Sequence, residues 1–280
     1  NECASKVSQA LESYRFNDGA QAVYDFFWND FCDWYVEATK LSFWHGDEHE
    51  KDRAVSVLLN VLEESLRLLH PFIPFVTEEI YSKLPLAEIV ANRKSTGAQK
   101  ILCNSEYNAM LINAPFPEVV AERDNATVQA RFDALKDLIG QVRALRAECG
   151  IDPANKINIA VLITKGSEAE VCREKVEMIK LLAGVANVEF VDAKPASSVG
   201  TVGKGFEAFI LVDGSINKDA LIARFKKEIE TETGWVKKSE AKLNGNFAQH
   251  APKEVVEAER AKMEESKRKI EKLQSYVNSL

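Results

Sequence analysis

The residue types that could do chemistry in this chain are two histidines four positions apart, a glycine-rich stretch and scattered cysteines. His45 and His49 enclose an aspartate and a glutamate, and all of these side chains are possible ligands of a metal ion. Gly46 and the absence of flanking apolar residues favour a loop between two helices instead. The sequence therefore predicts no metal site at this position.

The glycine-rich stretch, residues 200–205, reads GTVGKG and has a composition that could cradle a phosphate group. It lacks the spacing of a Walker motif and has no Ser or Thr after Lys204, so a β-turn is the better prediction. No Ser-His-Asp arrangement, catalytic cysteine or glycosidase-type pair of carboxylates can be argued from the sequence. We therefore predict no catalytic residue in this chain.

The cysteines are odd in number and have no CxxC spacing. This usage is typical of a reducing compartment, and of neither a disulfide scaffold nor a zinc site. The sequence also has no run of about 18 apolar residues and no basic leader. We expect a cytoplasmic protein without a membrane partner and, because no initiating Met is present, a C-terminal piece of a longer protein. The five cysteines are Cys3, Cys32, Cys103, Cys149 and Cys172.

The charge of the chain is unevenly distributed. The 280 residues carry a net charge of −7, but residues 216–280 contain 14 Lys plus Arg against 11 Asp plus Glu. A net charge of +3 in this segment leaves −10 on the remainder, so any nucleic-acid contact must come from a local patch. Cations on a helical segment are also typical of a solvated face, and the sequence alone leaves both interpretations open.

Residues 1–117 are predicted to form an all-α bundle. One helix ends near Tyr14, a second spans 18–42, a third spans 49–69, and Pro74 begins a fourth that reaches Leu84. Asn17 or Asp18 is the expected N-cap of the second helix, and residues 92–97 are an expected surface loop. The predicted apolar face of the second helix consists of Ala20, Val23, Phe27, Phe31, Trp34, Ala38 and Leu41.

Residues 118–215 are predicted to form a small α+β domain. A long helix ends at Gly150, and strands are expected at 156–164, 188–191 and 206–212, with a helix over 167–182. Residues 216–280 are predicted to form an antiparallel coiled-coil hairpin, because apolar residues recur every seven positions on either side of a break at residues 244–246. These apolar residues are Ile222, Ile229, Val236 and Leu243, then Val256, Met263, Ile270 and Val277, with Leu273 and Leu280 as a second seam.

Three phrases of the sequence resemble those of the valyl-tRNA synthetase family. Residues 14–35 read YRFNDGAQAVYDFFWNDFCDWY, and residues 70–81 read HPFIPFVTEEIY, a phrase also found in related class Ia enzymes. Residues 242–260 read KLNGNFAQHAPKEVVEAER, similar to the beginning of the tRNA arm of that family. The resemblance implies a mainly α protein with a class Ia anticodon-binding bundle, a small α+β domain and a coiled-coil arm.

The resemblance also implies a function. Such a chain would be the tRNA-binding part of a valine–tRNA ligase, a monomer linked in cis to N-terminal catalytic and editing domains that use ATP and Mg. The HIGH and KMSKS signatures of the catalytic domain do not occur here, so this piece has no catalytic site and needs no cofactor. In the family, part of the anticodon-reading surface precedes the first residue of this chain, so weak, salt-sensitive tRNA binding is expected. The alternatives are the same region of another class Ia synthetase and a coiled-coil adaptor that binds protein.

Candidate binding residues follow from this resemblance. For the anticodon they are Arg15, His70, Phe72, Phe75 and Glu78. For the body of the tRNA they are Lys237, Lys238, Arg260, Lys267, Arg268, Arg143 and Arg146. Packing within the bundle is the more common role of rings such as those near residues 70–75, and the two arginines of the long helix also suit its C-terminal dipole.

Overall fold

The computed structural model describes residues 1–85, 110–213, 216–245 and 251–280. The predicted loop at 92–97, Cys103 and Asn246 lie outside these residues. The chain divides into two compact units, Asn1–Gln129 and Ala130–Leu280. The division into three domains at residues 117 and 215 stays a prediction.

The first unit is helical, as predicted. Two short 3-10 turns, Leu111–Asn113 and Ala121–Arg123, lie in its described residues from 110 onwards. The helices, in chain order, are α1 (Glu2–Glu12), α2 (Phe16–Asp25), a π-helix (Phe26–Val36), α3 (Glu37–His45), α4 (Glu48–Leu69) and α5 (Pro74–Ser82).

The predicted helix over 18–42 is one continuous helical run from residue 16 to residue 45, but its middle is a π-helix. Phe27, Phe31 and Tyr35 recur at intervals of four, which suits the wider π turn better than an α-helical alternation of three and four. Their rings line up, with centroids 5.5 Å apart for Phe27 and Phe31 and 6.2 Å apart for Phe31 and Tyr35. Phe31 is buried, whereas Phe27 and Trp34 are only half-buried.

The start of α2 differs from the prediction. Arg15 is the N-cap residue, no side chain caps the helix, and Asn17 and Asp18 already lie within its first turn. The helix begins early because Tyr14 adopts a left-handed conformation, with φ of 57°, and reverses the chain directly after α1. Asp18 instead pairs with Arg15 at 3.2 Å.

Ionic and capping contacts hold α4 in place. Asp47 and Glu50 form a capping box at its start, so only residues 46 and 47 separate it from α3. Near its end, the buried Arg67 pairs with Glu63 at 3.0 Å and donates to the carbonyl of Pro115 at 2.8 Å. The segment at 114–117 is therefore attached to α4. Among the described residues, no group of three or more possible metal ligands occurs.

The second unit consists of a four-stranded sheet with helices and the arm. Its elements are α6 (Ala126–Cys149, beginning in the first unit), β1 (Ile157–Ile163), α7 (Val171–Glu174), α8 (Val176–Ala183), β2 (Val185–Phe190), β3 (Ser198–Gly203), β4 (Phe206–Leu211), α9 (Lys218–Asn244) and α10 (Lys253–Ser279). The strand order in the sheet is β2-β1-β4-β3, with β1 and β2 parallel and the other two pairs antiparallel. A 3-10 turn, Glu168–Glu170, precedes α7.

The β-turn predicted over 200–205 is wrong in extent. Residues 200–203 belong to β3, and only Lys204 and Gly205 make the turn to β4. The glycines are needed because aromatic rings of β4 lie against them: a Cβ on Gly203 would come within 2.0 Å of the Phe206 ring. Gly200 and Gly203 therefore make room for the packing of these rings.

The described cysteines, Cys3, Cys32, Cys149 and Cys172, are free thiols. Burial raises the pKa of Cys149 and of Cys172 to about 12. Both therefore remain protonated at neutral pH.

Candidate nucleic-acid interface

The corner between α4 and α5 is built around a buried threonine. Thr77 is completely buried, and its hydroxyl lies 3.0 Å from the carbonyls of both Ile73 and Pro74 and 2.8 Å from Nδ1 of His70. The threonine hydroxyl and the imidazole thus hold each other at the start of α5, and the tautomer of His70 decides which of them donates.

The two phenylalanines of this corner have different environments. Phe72 is half-buried and packs against the core cluster that contains Val7, Val23 and Leu68. Phe75, in the first turn of α5, is 89% exposed. Of the two rings, Phe75 is the one open to solvent, whereas Phe72 packs within the bundle.

Glu78 is engaged with the backbone of its own unit. Its carboxylate accepts from the N–H of Leu111 at 2.8 Å and from the N–H of Ile112 at 3.3 Å. These are the first N–H groups of a 3-10 turn, which have no partner within the turn. Glu78 therefore holds this segment to α5, and its role in anticodon binding stays a prediction.

Arg143 and Arg146 in α6 also contact backbone carbonyls. Arg143 is exposed, and its Nε donates to the carbonyl of Leu182 at 2.7 Å. Arg146 is only 6% exposed, and burial lowers the pKa of its guanidinium. Its donors reach the carbonyls of Ala183, Gly184, Asp152, Pro153 and Asn155. Its guanidinium is therefore enclosed by protein oxygens, and the tRNA contact of Arg146 stays a prediction.

The arm is an antiparallel hairpin, as predicted. We call the end where α9 begins and α10 ends the base of the arm, and the opposite end its tip. Ion pairs connect α9 to α10 along the arm: Glu232 pairs with Lys269 at 2.9 Å and, closer to the tip, Glu240 pairs with Lys267 at 3.2 Å. Lys269 also pairs with Glu228 at 2.8 Å, and these hydrogen bonds raise its pKa. Lys267, a predicted tRNA contact, therefore already serves a contact between the helices.

Other cations of the arm are not used in this way. Lys237 and Arg260 are exposed, and the described residues offer neither of them an acidic partner within ion-pair distance. Lys238 is exposed as well, with Nζ 5.2 Å from the centre of the Trp235 ring. Arg268 is exposed and donates through Nε to the carbonyl of Glu264 at 3.3 Å. These four side chains can approach phosphate groups without first breaking an ion pair of the hairpin.

Comparison with known proteins finds two family models that match this chain. Residues 1–161 match the family model described as the anticodon-binding domain of tRNA ligase. The chain belongs to this family. Residues 218–280 match the model described as the valyl tRNA synthetase tRNA binding arm.

Curated relatives match along the whole chain. The valine–tRNA ligase of Treponema denticola is 51% identical over 286 residues, which cover 100% of this chain and 30% of the relative. That of Treponema pallidum is 41% identical over 296 residues, which cover 99% of this chain and 30% of the relative. That of Thermotoga maritima is 32% identical over 282 residues, which cover 100% of this chain and 29% of the relative. The chain thus spans about 30% of the length of these relatives.

Trp235 is a surface residue of the arm that the sequence analysis missed. Its ring is 58% exposed and lines a shallow cleft between α9 and α10, together with Ser239, Lys242 and Lys262. The available signal was a tryptophan directly before the buried seam residue Val236, in a helix rich in charge. The exposed indole adds a flat apolar surface to a cleft of balanced charge, which is lined by the lysines at 242, 262 and 269 and by the glutamates at 232, 259 and 265.

Membrane insertion has no support in the described part of the chain: none of its helices combines the length and apolar character that a bilayer crossing requires.

Proposed function

We propose that this chain is the tRNA-binding part of a valine–tRNA ligase. The helical bundle reads the valine anticodon, and the arm contacts the body of the same tRNA. The presence of an anticodon-binding match followed by an arm match, in one chain and in this order, supports the proposal. The arm match favours the valine enzyme over other class Ia synthetases.

The division of charge on the arm carries this proposal. Lys267 and Lys269 are paired with glutamates of the opposite helix, whereas Lys237 and Arg260 are exposed without such partners among the described residues. A hairpin stabilised by all of its charges would leave none for a ligand. Free cations release counterions when they contact phosphates, which favours binding to a polyanion.

The remainder of the enzyme supplies the chemistry. We propose that the catalytic and editing domains lie in cis in the full-length protein, where ATP and Mg are bound. The residues of this chain bind and orient the tRNA, and none of them acts on the reacting groups. We further propose that the protein is a cytoplasmic monomer.

A titration with valine tRNA tests the proposal. We expect weak binding at about 50 mM salt and a steep loss at about 200 mM salt, because phosphate contacts carry most of the affinity. Lys237→Glu and Arg260→Glu should each weaken binding and flatten the salt dependence. Lys165→Glu, an exposed lysine in the turn after β1, is the matched control and should bind as the parent chain does.

Two results would contradict the proposal. Absence of binding at the lower salt concentration would reject tRNA as a partner and favour a protein-binding adaptor. Equal affinity for valine tRNA and for the same tRNA with an altered anticodon would reject anticodon reading by the bundle.

A further inference from the structure

The arm is attached at its base to the C-terminal turn of α6. Glu148 accepts two hydrogen bonds from α10, at 2.7 Å from Lys272 Nζ and at 2.9 Å from the hydroxyl of Tyr276. The two donors lie one helical turn apart on α10, so a single carboxylate fixes both the position and the rotation of this helix.

Tyr276 joins both helices of the arm to this contact. It is only 4% exposed, and its ring lies 5.5 Å from the ring of the fully buried Phe225 in α9. A buried hydroxyl without a partner is costly, and among the described residues the hydroxyl of Tyr276 has Glu148 as its partner. The hydrogen bond therefore constrains α10 directly and α9 through the packed rings.

Two further contacts define the same base. Gly150, at the end of α6, has φ of +65°, and a Cβ on it would lie 1.2 Å from Nη1 of Arg224 in α9. Lys194, before β3, donates from Nζ to the hydroxyl of Ser279 at 2.8 Å. The first of these contacts is close packing and the second involves an exposed lysine, whereas Glu148 accepts from a buried donor.

We propose that Glu148 is a positioning residue that sets the direction of the arm. The helices of the arm contain 27 residues each, which corresponds to about 40 Å. A rotation of about 10° at the base would displace the tip by about 7 Å, more than twice the length of a hydrogen bond. Glu148 would thus affect binding of a tRNA body that it does not touch.

The proposal concerns geometry, and its consequence for tRNA rests on the proposed function. A merely structural role would lower the melting temperature without changing the direction of the folded arm. The distance between a point near the tip and a point on the sheet separates these possibilities. Glu257, near the start of α10, and Glu189, in the edge strand β2, are exposed and suitable for labels.

The experiment uses the 280-residue chain with nitroxides attached through ketone-bearing amino acids at positions 189 and 257, measured by pulsed electron paramagnetic resonance. In Glu148→Ala we expect the width of the distance distribution to at least double, and the Kd for valine tRNA to rise about tenfold. Tyr276→Phe, which keeps the ring packing, should broaden the distribution in the same sense. Glu271→Ala removes an exposed carboxylate of α10 next to Lys272 and should leave distance and Kd unchanged.

An unchanged distribution in Glu148→Ala and Tyr276→Phe would overturn the proposal, whether or not their melting temperatures fall. The proposed function fails separately: if the parent chain does not bind tRNA but the distribution broadens, the positioning role stands and the tRNA role is rejected. If the parent chain binds tRNA but the distribution stays narrow in both variants, the tRNA role stands and the positioning role of Glu148 is rejected.

Discussion

Arg146 lies directly beneath Gly184, so closely that a Cβ on this glycine would come within 2.4 Å of the guanidinium Nη1. The arginine thereby joins the end of α6 to the turn between α8 and β2 and to the loop before β1. We expect Arg146→Lys to lower the free energy of unfolding by roughly 3 kcal/mol, because several buried carbonyls lose their donors.

Urea unfolding measures this effect. The control is Arg131→Lys, which alters an exposed ion pair with Glu174 and should cost about 1 kcal/mol or less. Equal stability of the two variants would show that the carbonyls around Arg146 find other partners.

The two aromatic residues of the α4–α5 corner should respond in opposite ways. Phe75→Ala should weaken binding of a stem-loop with the valine anticodon by about tenfold or more, since stacking on an exposed ring is lost. Its unfolding free energy should change by less than about 0.5 kcal/mol. Phe72→Ala should instead lower that free energy by roughly 2 kcal/mol, because the ring packs on the bundle core. Stem-loop binding and urea unfolding of both variants test the assignment, and unchanged binding by Phe75→Ala would reject its stacking role.

The carboxylate of Glu78 should control the local stability of the segment after α5. Glu78→Ala removes the acceptor of the Leu111 and Ile112 amides, so we expect their hydrogen exchange to accelerate about tenfold. Glu79→Ala is the matched control, because Glu79 pairs only with Lys83 on the exposed side of α5 among the contacts described. Slow exchange in Glu78→Ala would mean that another group holds the turn.

Acid should destabilise the arm. A hydrogen bond from Ser239 to Glu259, and one from Lys269 to Glu232, keep the pKa of each carboxyl below its ordinary value of 4.5. The folded arm therefore binds fewer protons than the unfolded arm. The resulting stabilisation is fully present above pH 4.5 and is lost as the pH falls through the folded pKa values.

Thermal melting followed by circular dichroism at about pH 7 and at lower pH checks this expectation. Glu259→Gln should melt at a lower temperature near pH 7 but lose less on acidification than the parent chain. An identical pH dependence in the two proteins would show that Glu259 does not contribute to acid sensitivity.

Elements dominated by local periodicity could be predicted from the sequence. The helices of the arm and α4 lie within a few residues of their expected positions, because their apolar spacing and their end signals agree. The π-helix was not predictable in this way, since a run such as Phe27, Phe31 and Tyr35 also satisfies an approximate α-helical pattern. Strand β3 was missed because its glycines indicate a turn until the rings that cover them are known.

The binding residues were harder to predict, because a sequence gives the type of a side chain but not its partners. For Arg146 the sequence did indicate burial. This residue follows Ile139 and Val142 at helical spacing and so lies on the same buried face of the helix. Glu78 carried none, since its partners are amides more than thirty positions away.

The equal lengths of the two arm helices fix the reach of the arm. Each helix contains 27 residues, and the base is held by residues of α6. Adding one heptad to both helices would extend the tip by about 10 Å and preserve the faces that meet in the hairpin. Adding four residues to both would rotate the tip out of phase with the base. Insertions of whole heptads in both helices therefore lengthen the arm while its contact surface keeps its orientation.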